Sequence, residues 1–375
     1  MAATGERAVS RRRFVAGAGA AIGALAAGGG PGAWGRTLPA ADGPATRPGD
    51  DGVGFFFVSD THYLAMKDEP ARIDERSAAV TGRLIDTLNT LPGTAIPAAA
   101  GGGVVAPPRG VIHGGDLIDS GDKVGPAYAA MQATEWEAYA KDFGLTGRDG
   151  RLRFPVYDIH GNHDAPSGKG LVIDRLVERT RRRAGLAGTS PNGLHYSWDW
   201  GPVHLVNLGI VVGGAKEVAR RRRFDPLGSL AFLIDDLRAT VGESGRPVVL
   251  THHVDVARYT GACDPQGPYD NKEWDACDVR AYHEAIRRYN VVAILYGHTH
   301  VRNVFRWDGT AKRGPAGVDV FNVDNGGHFN SDTQGFFYFH LTGARLTVRE
   351  YRTEDRWATG AWTPQVWGRE IAARA

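Results

Sequence analysis

The sequence predicts an α/β protein, because patterns typical of strands and of helices alternate along most of the chain. Five short runs rich in β-branched or aromatic residues are each followed by a cluster of Gly, Asp, Asn or His, which is typical of buried strands. Helical patterns lie between several of these runs, and this alternation indicates a largely parallel sheet. In such sheets ligands bind beyond the carboxyl ends of the strands, where every polar cluster of this chain lies.

The predicted strands with these clusters are Val53–Val58, Val111–His113, Val156–Ile159, Val248–Leu250 and Val291–Tyr296. The predicted helices are Ala71–Leu88, Thr134–Lys141, Leu171–Arg183, Leu227–Ala239 and Val279–Tyr289. His195–Leu208 is predicted to form a hairpin, and a second, mixed sheet is predicted from three C-terminal strands separated by Gly-containing turns. These strands are Asp319–Val323, Phe336–Leu341 and Leu346–Tyr351. The Gly/Ala/Pro-rich stretch Pro92–Pro108 predicts a surface loop.

The first forty residues have the composition of an export signal. Arg11, Arg12 and Arg13 precede Phe14 and an Ala/Gly-rich apolar stretch, which runs from Val15 to about Gly30. Paired arginines at this place are typical of the twin-arginine signal, which the export machinery recognises. An uncleaved anchor helix is the alternative, but the stretch is shorter than the roughly 20 residues that a bilayer requires. We therefore predict a signal peptide at 1–40, a linker at 41–52 and one folded domain at 53–375. The mature protein is expected to be periplasmic or extracellular, with no transmembrane segment.

The charge of the chain argues against a polyanion as its partner. The sequence holds 44 Lys and Arg against 42 Asp and Glu, a net charge of +2. Five of the arginines and one of the glutamates lie in the first forty residues, so the remainder is slightly acidic. No binding to nucleic acid is expected from such a balance.

The residues in the polar clusters are suited to a metal centre that uses oxygen and nitrogen ligands. The seven candidate ligands are Asp60, His62, Asp116, Asn162, His252, His298 and His300. Carboxylates and imidazoles without thiolates suit Fe, Mn or Zn better than Cu(I) or iron–sulfur clusters. Seven ligands exceed the needs of one tetrahedral ion, and with one bridging carboxylate they suit two ions about 3.5–4 Å apart.

The order of the motifs resembles that of the calcineurin-like metallophosphoesterase superfamily. These motifs are D-x-H at Asp60, G-D-x-x-D at Asp116, G-N-H-D at Asn162, a His after a strand and G-H-x-H at His298. The resemblance implies an αββα sandwich of two mixed β-sheets flanked by helices. It implies one metal ion held by Asp60, His62, Asp116 and His300, and a second held by Asp116, Asn162, His252 and His298. It also implies that His163 protonates the leaving group and that Asp164 orients His163.

Two departures from the family pattern affect these expectations. Asp119 stands where purple acid phosphatases have Tyr, so an iron–tyrosinate site is not expected. Val254 and Asp255 replace the usual Pro-Pro after the paired histidines, which leaves both His252 and His253 as possible ligands. We favour His252, since it matches the first position of the family motif. His253 is then a candidate neighbour of the ligands, and His328 a candidate residue of the pocket wall.

The resemblance implies hydrolysis of a phosphate mono- or diester by metal-activated hydroxide. The expected substrate is a phosphorylated small molecule or a lipid headgroup. The alternative is a metal-dependent binding or scaffold protein that has this fold but no turnover. His163 and Asp164 argue against that alternative, because a protein that only binds needs no leaving-group acid. Cys263 and Cys277 are predicted to form a disulfide in an oxidising compartment, with two free thiols as the alternative.

Overall fold

The computed structural model describes residues 52–259, 261–268 and 272–371. The predicted signal peptide and all but the last residue of the predicted linker lie outside the described residues. Within the described part of the chain, no helix is both long enough and apolar enough to cross a lipid bilayer.

The first sheet has six strands in the order β13-β12-β11-β1-β2-β3. Their bounds are β1 Val53–Val58, β2 Val111–His113, β3 Val156–Asp158, β11 Gln334–Leu341, β12 Arg345–Thr353 and β13 Ala361–Glu370. Strands β1, β2 and β3 are parallel to one another, while β11 runs antiparallel to β1. The carboxyl ends of β1, β2 and β3, and hence three of the predicted motifs, therefore lie at one edge of this sheet.

The second sheet has seven strands in the order β4-β5-β6-β7-β8-β10-β9. Their bounds are β4 Leu186–Thr189, β5 Tyr196–Trp200, β6 Val203–Asn207, β7 Val248–Thr251, β8 Val291–Tyr296, β9 Asn303–Trp307 and β10 Val318–Asn322. Strands β6, β7, β8 and β10 are parallel. The two remaining motifs follow β7 and β8, next to each other in this sheet.

Helices cover the outer face of each sheet, which produces the αββα sandwich. Helices α1 Glu75–Thr90, α2 Pro126–Phe143 and α3 Leu171–Arg182 pack on the first sheet. Helix α4 Ser229–Asp236, which continues as a π-helical turn at Leu237–Val241, and helix α5 Ala276–Ile286 pack on the second. Strand β1 illustrates this packing, since its side chains alternate between the two faces of the sheet. Phe56 and Val58 face the helices, whereas Phe55 and Phe57 face the other sheet.

The predicted fold class and the predicted sandwich of two mixed sheets are confirmed. The distribution of strands differs from the sequence expectation, since the five strands with motifs are divided between the two sheets. Of the three C-terminal strands predicted to form a separate sheet, β11 and β12 extend the first sheet, whereas β10 belongs to the second sheet and is parallel to β8. The strands β4, β9 and β13 were not predicted. Strand β13 contains Pro364 and Gly368, and it lies at the edge of its sheet, where proline is tolerated.

Candidate metal centre

The backbone is strained at the residues that carry the predicted ligands. Eight described residues other than glycine have a positive φ, and five of them are predicted ligands. These five are Asp60, His62, Asp116, His298 and His300, with φ between 46° and 71°. Left-handed backbone costs energy for residues with a Cβ and is concentrated at functional sites. The strained backbone at these five residues directs their side chains toward one place.

Four of these side chains form the first cluster, which comprises Asp60, His62, Asp116 and His300. One potential ligand atom of each residue lies within 4.8 Å of those of the other three. Nε2 of His62 is 3.1 Å from Nε2 of His300 and 3.6 Å from Oδ2 of Asp116. Nε2 of His300 is 3.3 Å from Oδ1 of Asp60. The structure thus brings together the four residues that were predicted to hold one ion.

The second cluster comprises Asp116, His253 and His298, with Asn162 beside it. Nε2 of His253 is 3.2 Å from Oδ2 of Asp116 and 3.1 Å from Oδ1 of Asn162. Nδ1 of His253 is 2.8 Å from the carbonyl oxygen of Gly114. A proton on Nδ1, donated to that carbonyl, leaves Nε2 free to bind a metal ion. Asp116 belongs to both clusters, as expected of a bridging carboxylate.

Two glycines of the motifs are required because no side chain fits beside the carboxylates. A Cβ at Gly161 would lie 2.2 Å from Oδ1 of Asp116. A Cβ at Gly297 would lie 2.1 Å from Oδ2 of Asp60. These contacts are far shorter than any that a real Cβ makes, so each glycine allows a carboxylate to approach the backbone of a neighbouring loop.

Hydrogen bonds connect the loops that carry the ligands. The backbone N–H groups of Asp60 and His62 donate to the carbonyl groups of Gly115 and Asp116, at 2.9 and 3.1 Å. Across the two sheets, the N–H of His298 donates to both carboxylate oxygens of Asp60 at 3.0 Å. The position of the second-sheet loop is therefore fixed relative to that of the first.

The charges of the clusters fit the binding of cations. Burial acts to raise the pKa of Asp60 and of Asp116, but histidine neighbours, chiefly His300 for Asp60 and His253 for Asp116, hold both below their ordinary value. Burial acts to lower the pKa of His253, while Asp116 and Asp60 raise it to about 9. Both carboxylates are fully buried, and their partners among the described ion pairs are imidazoles, without Lys or Arg. Buried anions surrounded by nitrogen atoms that can coordinate a metal fit a pair of first-row ions.

The prediction that His252 is a metal ligand is wrong, because its ring points away from the clusters. Its ring lies on the helix side of the second sheet, 5.3 Å from the ring of Trp274 and 5.7 Å from those of Tyr282 and Tyr296. Successive residues of an extended chain point to opposite faces, and His252 shares the face of Val248 and Leu250. His253 consequently points into the site, and burial lowers the pKa of His252 to about 3.

His163 lies beside the clusters, but Asp164 does not orient it as predicted. The His163 ring is 4.8 Å from that of His62, and its side chain is 34% exposed. Its Nδ1 is 3.3 Å from the carbonyl oxygen of Asp119 and 3.8 Å from Oδ1 of Asp122. Burial acts to lower the pKa of His163, but the carboxylates of Asp116, Asp122 and Asp119 raise it above its ordinary value.

The carboxylate of Asp164 instead fixes the loop that carries Asp116. It accepts hydrogen bonds from the backbone N–H groups of Leu117, Ile118 and Gly161, at 2.9, 3.0 and 2.7 Å. Burial and the nearby Asp116 raise the pKa of Asp164 to about 7. Asp164 therefore positions the loop of Asp116, a proposed ligand. The neighbours of the His163 ring are the Asp119 carbonyl and the Asp122 carboxylate.

Three further side chains lie next to the clusters. The His328 ring is 4.8 Å from that of His62 and 4.9 Å from that of His300, which agrees with its expected place in the pocket wall. Oδ1 of Asp119 is 3.3 Å from Nδ1 of His62. Oε1 of Glu273 is 3.0 Å from Nε2 of His298. Sequence reasoning missed Glu273, because it belongs to no motif and reaches the site from the loop before α5.

The family model for calcineurin-like phosphoesterases matches residues 54–302. No individually curated protein matches the chain.

Similar solved structures include a purple acid phosphatase from yellow lupin seeds, with a TM-score of 0.50 and 14% identity over 84% of this chain and 53% of the lupin chain. This chain therefore spans about half the length of the lupin enzyme. A dimetal phosphatase from Danio rerio has a TM-score of 0.45 and 11% identity over 85% of this chain and 99% of its own. PhoD has a TM-score of 0.44 and 12% identity over 86% of this chain and 72% of its own. At 14% identity, the likeness to the lupin structure shows a shared fold alone.

Proposed function

Because this chain belongs to the calcineurin-like phosphoesterase family, we propose that it hydrolyses a phosphate mono- or diester with two metal ions. Asp60, His62, Asp116 and His300 would hold one ion. Asp116, Asn162, His253 and His298 would hold the other. When bound, two such ions neutralise the phosphate and make a water molecule nucleophilic at neutral pH. Fe, Mn and Zn all accept these ligands.

The observation that carries this proposal is the position of Asp116. Its carboxylate is fully buried and belongs to both clusters, so one side chain can serve two ions. A structural ion pair would need only one cationic partner. Oδ2 of Asp116 instead has two imidazole neighbours, Nε2 of His62 at 3.6 Å and Nε2 of His253 at 3.2 Å.

In this proposal, His163 supplies the proton that an alkoxide leaving group needs. Its backbone N–H donates to Oδ1 of Asp116 at 2.7 Å, which holds the residue next to the shared carboxylate. Its partly exposed ring can reach a substrate, and three carboxylates favour the protonated form. A proton donor of this kind contributes roughly 10²–10⁴-fold to the rate.

Turnover tests this proposal most simply. The protein is stripped with a chelator, reloaded separately with Fe, Mn or Zn, and assayed against phosphomonoesters, cyclic nucleotides, glycerophosphodiesters and phospholipid headgroups. At least one metal should restore hydrolysis of one ester class. A protein that retains two metal ions but hydrolyses none of these esters would favour a binding or scaffold role.

We also propose that the protein is exported by the twin-arginine route. The support is the Arg11-Arg12 pair before the apolar stretch, together with the disulfide between Cys263 and Cys277. Disulfides persist in oxidising compartments, which agrees with a site of action outside the cytoplasm. Replacing Arg11 and Arg12 together by Lys should keep the protein in the cytoplasm with its leader attached. Normal processing of this double variant would contradict the proposed route.

A further inference from the structure

Two arginine runs of the sequence take no part in the metal centre, and one of them lines a cavity. Arg183 of the run Arg181–Arg183 is bound to the buried Asp158, so its role is structural. The run Arg220–Arg223 lies in the loop before α4 and lines a cavity of about 440 Å³. Pro166 and Ser167, which follow directly after the loop of His163, also line this cavity.

Two arginines of this run fix the loop to helix α5. Arg220 binds both carboxylate oxygens of Asp275, at 2.7 and 3.0 Å. Arg222 binds both oxygens of Asp278. The side chains of Arg220 and Arg222 are only 18% and 16% exposed, and such bidentate pairs restrict the geometry of the loop.

The other two arginines of the run, Arg221 and Arg223, are exposed and line the cavity. Arg223 is 45% exposed, and its Nη1 approaches Oε1 of Glu273 only to 3.8 Å. Arg221 is exposed and has no carboxylate partner within the part of the chain that the structure describes. Asp225 also lines the cavity, and its Oδ1 accepts a hydrogen bond from the N–H of Leu227. The four arginines thus exceed the one carboxylate, Asp225, that lines the cavity with them, and neither Arg221 nor Arg223 is held by a bidentate carboxylate pair like those of Arg220 and Arg222.

One arginine of the cavity, Arg223, is connected to the second cluster through Glu273. Glu273, which Arg223 approaches, lies 3.0 Å from Nε2 of His298. The ring of Phe224 is 6.5 Å from the ring of His298. Ser167, which also lines the cavity, is four residues after His163. A substrate that reaches past His298 and His163 would therefore enter the arginine-lined cavity.

We infer that this cavity binds a second anionic group of the substrate, separate from the phosphate that is hydrolysed. The inference rests on the proposed function and defines its substrate as a phosphate ester with a further phosphate, sulfate or carboxylate. Guanidinium groups suit such groups because their planar donors match two oxygens at once. A cavity of about 440 Å³ favours a small anion over an extended polyanion.

The test compares an alkanediol bisphosphate with the matching alkanediol monophosphate, over a series of chain lengths. Both esters have the same type of leaving group, and only the bisphosphate carries a second anion. Arg221→Gln is the informative variant because Arg221 does not contact Glu273 or the proposed ligands. Arg238→Gln is the matched control, since Arg238 lies on the surface, 69% exposed and paired with Asp235.

The wild type should prefer a bisphosphate of suitable length, and Arg221→Gln should lower kcat/KM for it by about tenfold, as expected for one charged hydrogen bond. Its effect on the monophosphate should be much smaller, and Arg238→Gln should change neither. Equal loss on both esters, or no loss on either, would overturn the inference while the phosphoesterase activity stands. If no ester is hydrolysed, calorimetry with the bisphosphate decides: binding that depends on Arg221 supports the cavity, and binding unaffected by Arg221→Gln overturns it.

Discussion

The two sheets contribute different chemistry to the same clusters. The loops after β1, β2 and β3 of the first sheet provide all the oxygen ligands of the proposed centre, namely Asp60, Asp116 and Asn162. The loops after β7 and β8 of the second sheet provide only imidazoles, from His253, His298 and His300. Buried carboxylates without compensating charge are costly, so the anionic half depends on the nitrogen-rich half. The site exists because the sandwich brings both edges together.

The contacts that hold the proposed ligands in place also differ between the two sheets. In the first sheet, the carboxylate of Asp164 and backbone hydrogen bonds between adjacent loops hold the oxygen ligands. In the second sheet, the rings are oriented by groups beyond their own strand. His253 contacts the carbonyl of Gly114, and His298 contacts Glu273. Changes in the two sheets should therefore have different consequences.

The largest effect is expected at the carboxylate that both clusters share. Asp116→Asn keeps the shape of the side chain but removes the charge between His62 and His253. The variant should lose most of its bound metal and nearly all activity, because both proposed ions use this residue. Elemental analysis and an ester hydrolysis assay check this, with Asp86→Asn on the surface as the control. Two equivalents of metal retained in Asp116→Asn would show that no bridge is required.

The adjacent histidines after β7 offer the sharpest test of the second sheet. His253→Ala should lose one of the two ions and reduce activity by more than about a hundredfold, beyond the 10–100-fold typical of groups that only support a ligand. His252→Phe should keep both ions, because it preserves a ring among Trp274, Tyr282 and Tyr296. Metal content and thermal unfolding are measured for both variants. Metal loss in His252→Phe at unchanged stability would reverse the assignment.

A smaller effect, limited to some substrates, is expected at His163. His163→Ala should keep both ions and lose roughly 10²–10⁴-fold activity on alkyl esters, whose leaving group needs a proton. The loss on nitrophenyl esters should be smaller, since nitrophenolate is a weak base. Asp122→Asn should produce a milder form of this pattern, because Asp122 faces Nδ1 of the ring. Equal losses of His163→Ala on both ester types would leave His163 as a phosphate-binding residue.

The smallest effect is expected on the free energy of unfolding, at a buried glutamate that holds two loops of the first sheet. Glu135 is buried and accepts hydrogen bonds from the N–H groups of Ala65 and Ser120, at 3.0 and 3.1 Å. Burial raises its pKa from 4.5 to about 7. Because the folded pKa is the higher one, stability from this group is fully present below about pH 4.5 and is lost as the pH rises through about 7.

The neutral variant Glu135→Gln should lack this loss. Between pH 4.5 and 8, the free energy of unfolding of the wild type should fall relative to the variant by up to about 3 kcal/mol. Denaturant unfolding at several pH values measures the difference, and Glu137→Gln, on the exposed face of α2, is the control. A difference that does not change with pH would mean that Glu135 is ionised in the folded protein throughout this range.

The sequence predicts the first half of the site better than the second. Asp60, Asp116 and Asn162 each follow a strand within a motif, and parallel strands bring such residues to one edge. The choice between His252 and His253 depends on which face of β7 each one occupies. Family position alone does not decide this, although the alternation of Val248, Leu250 and His252 indicates the buried helix side. Asp164 was assigned to His163 because it is adjacent in sequence, whereas the turn at Gly161 directs its carboxylate toward backbone N–H groups.

The most direct test of the central claim is an anomalous scattering experiment on crystals of the metal-loaded protein. We predict two peaks about 3.5–4 Å apart, one on each side of the Asp116 carboxylate. Asp60, His62 and His300 should contact one peak, and Asn162, His253 and His298 the other. A single peak, or a peak coordinated by His252, would contradict the proposed dinuclear centre.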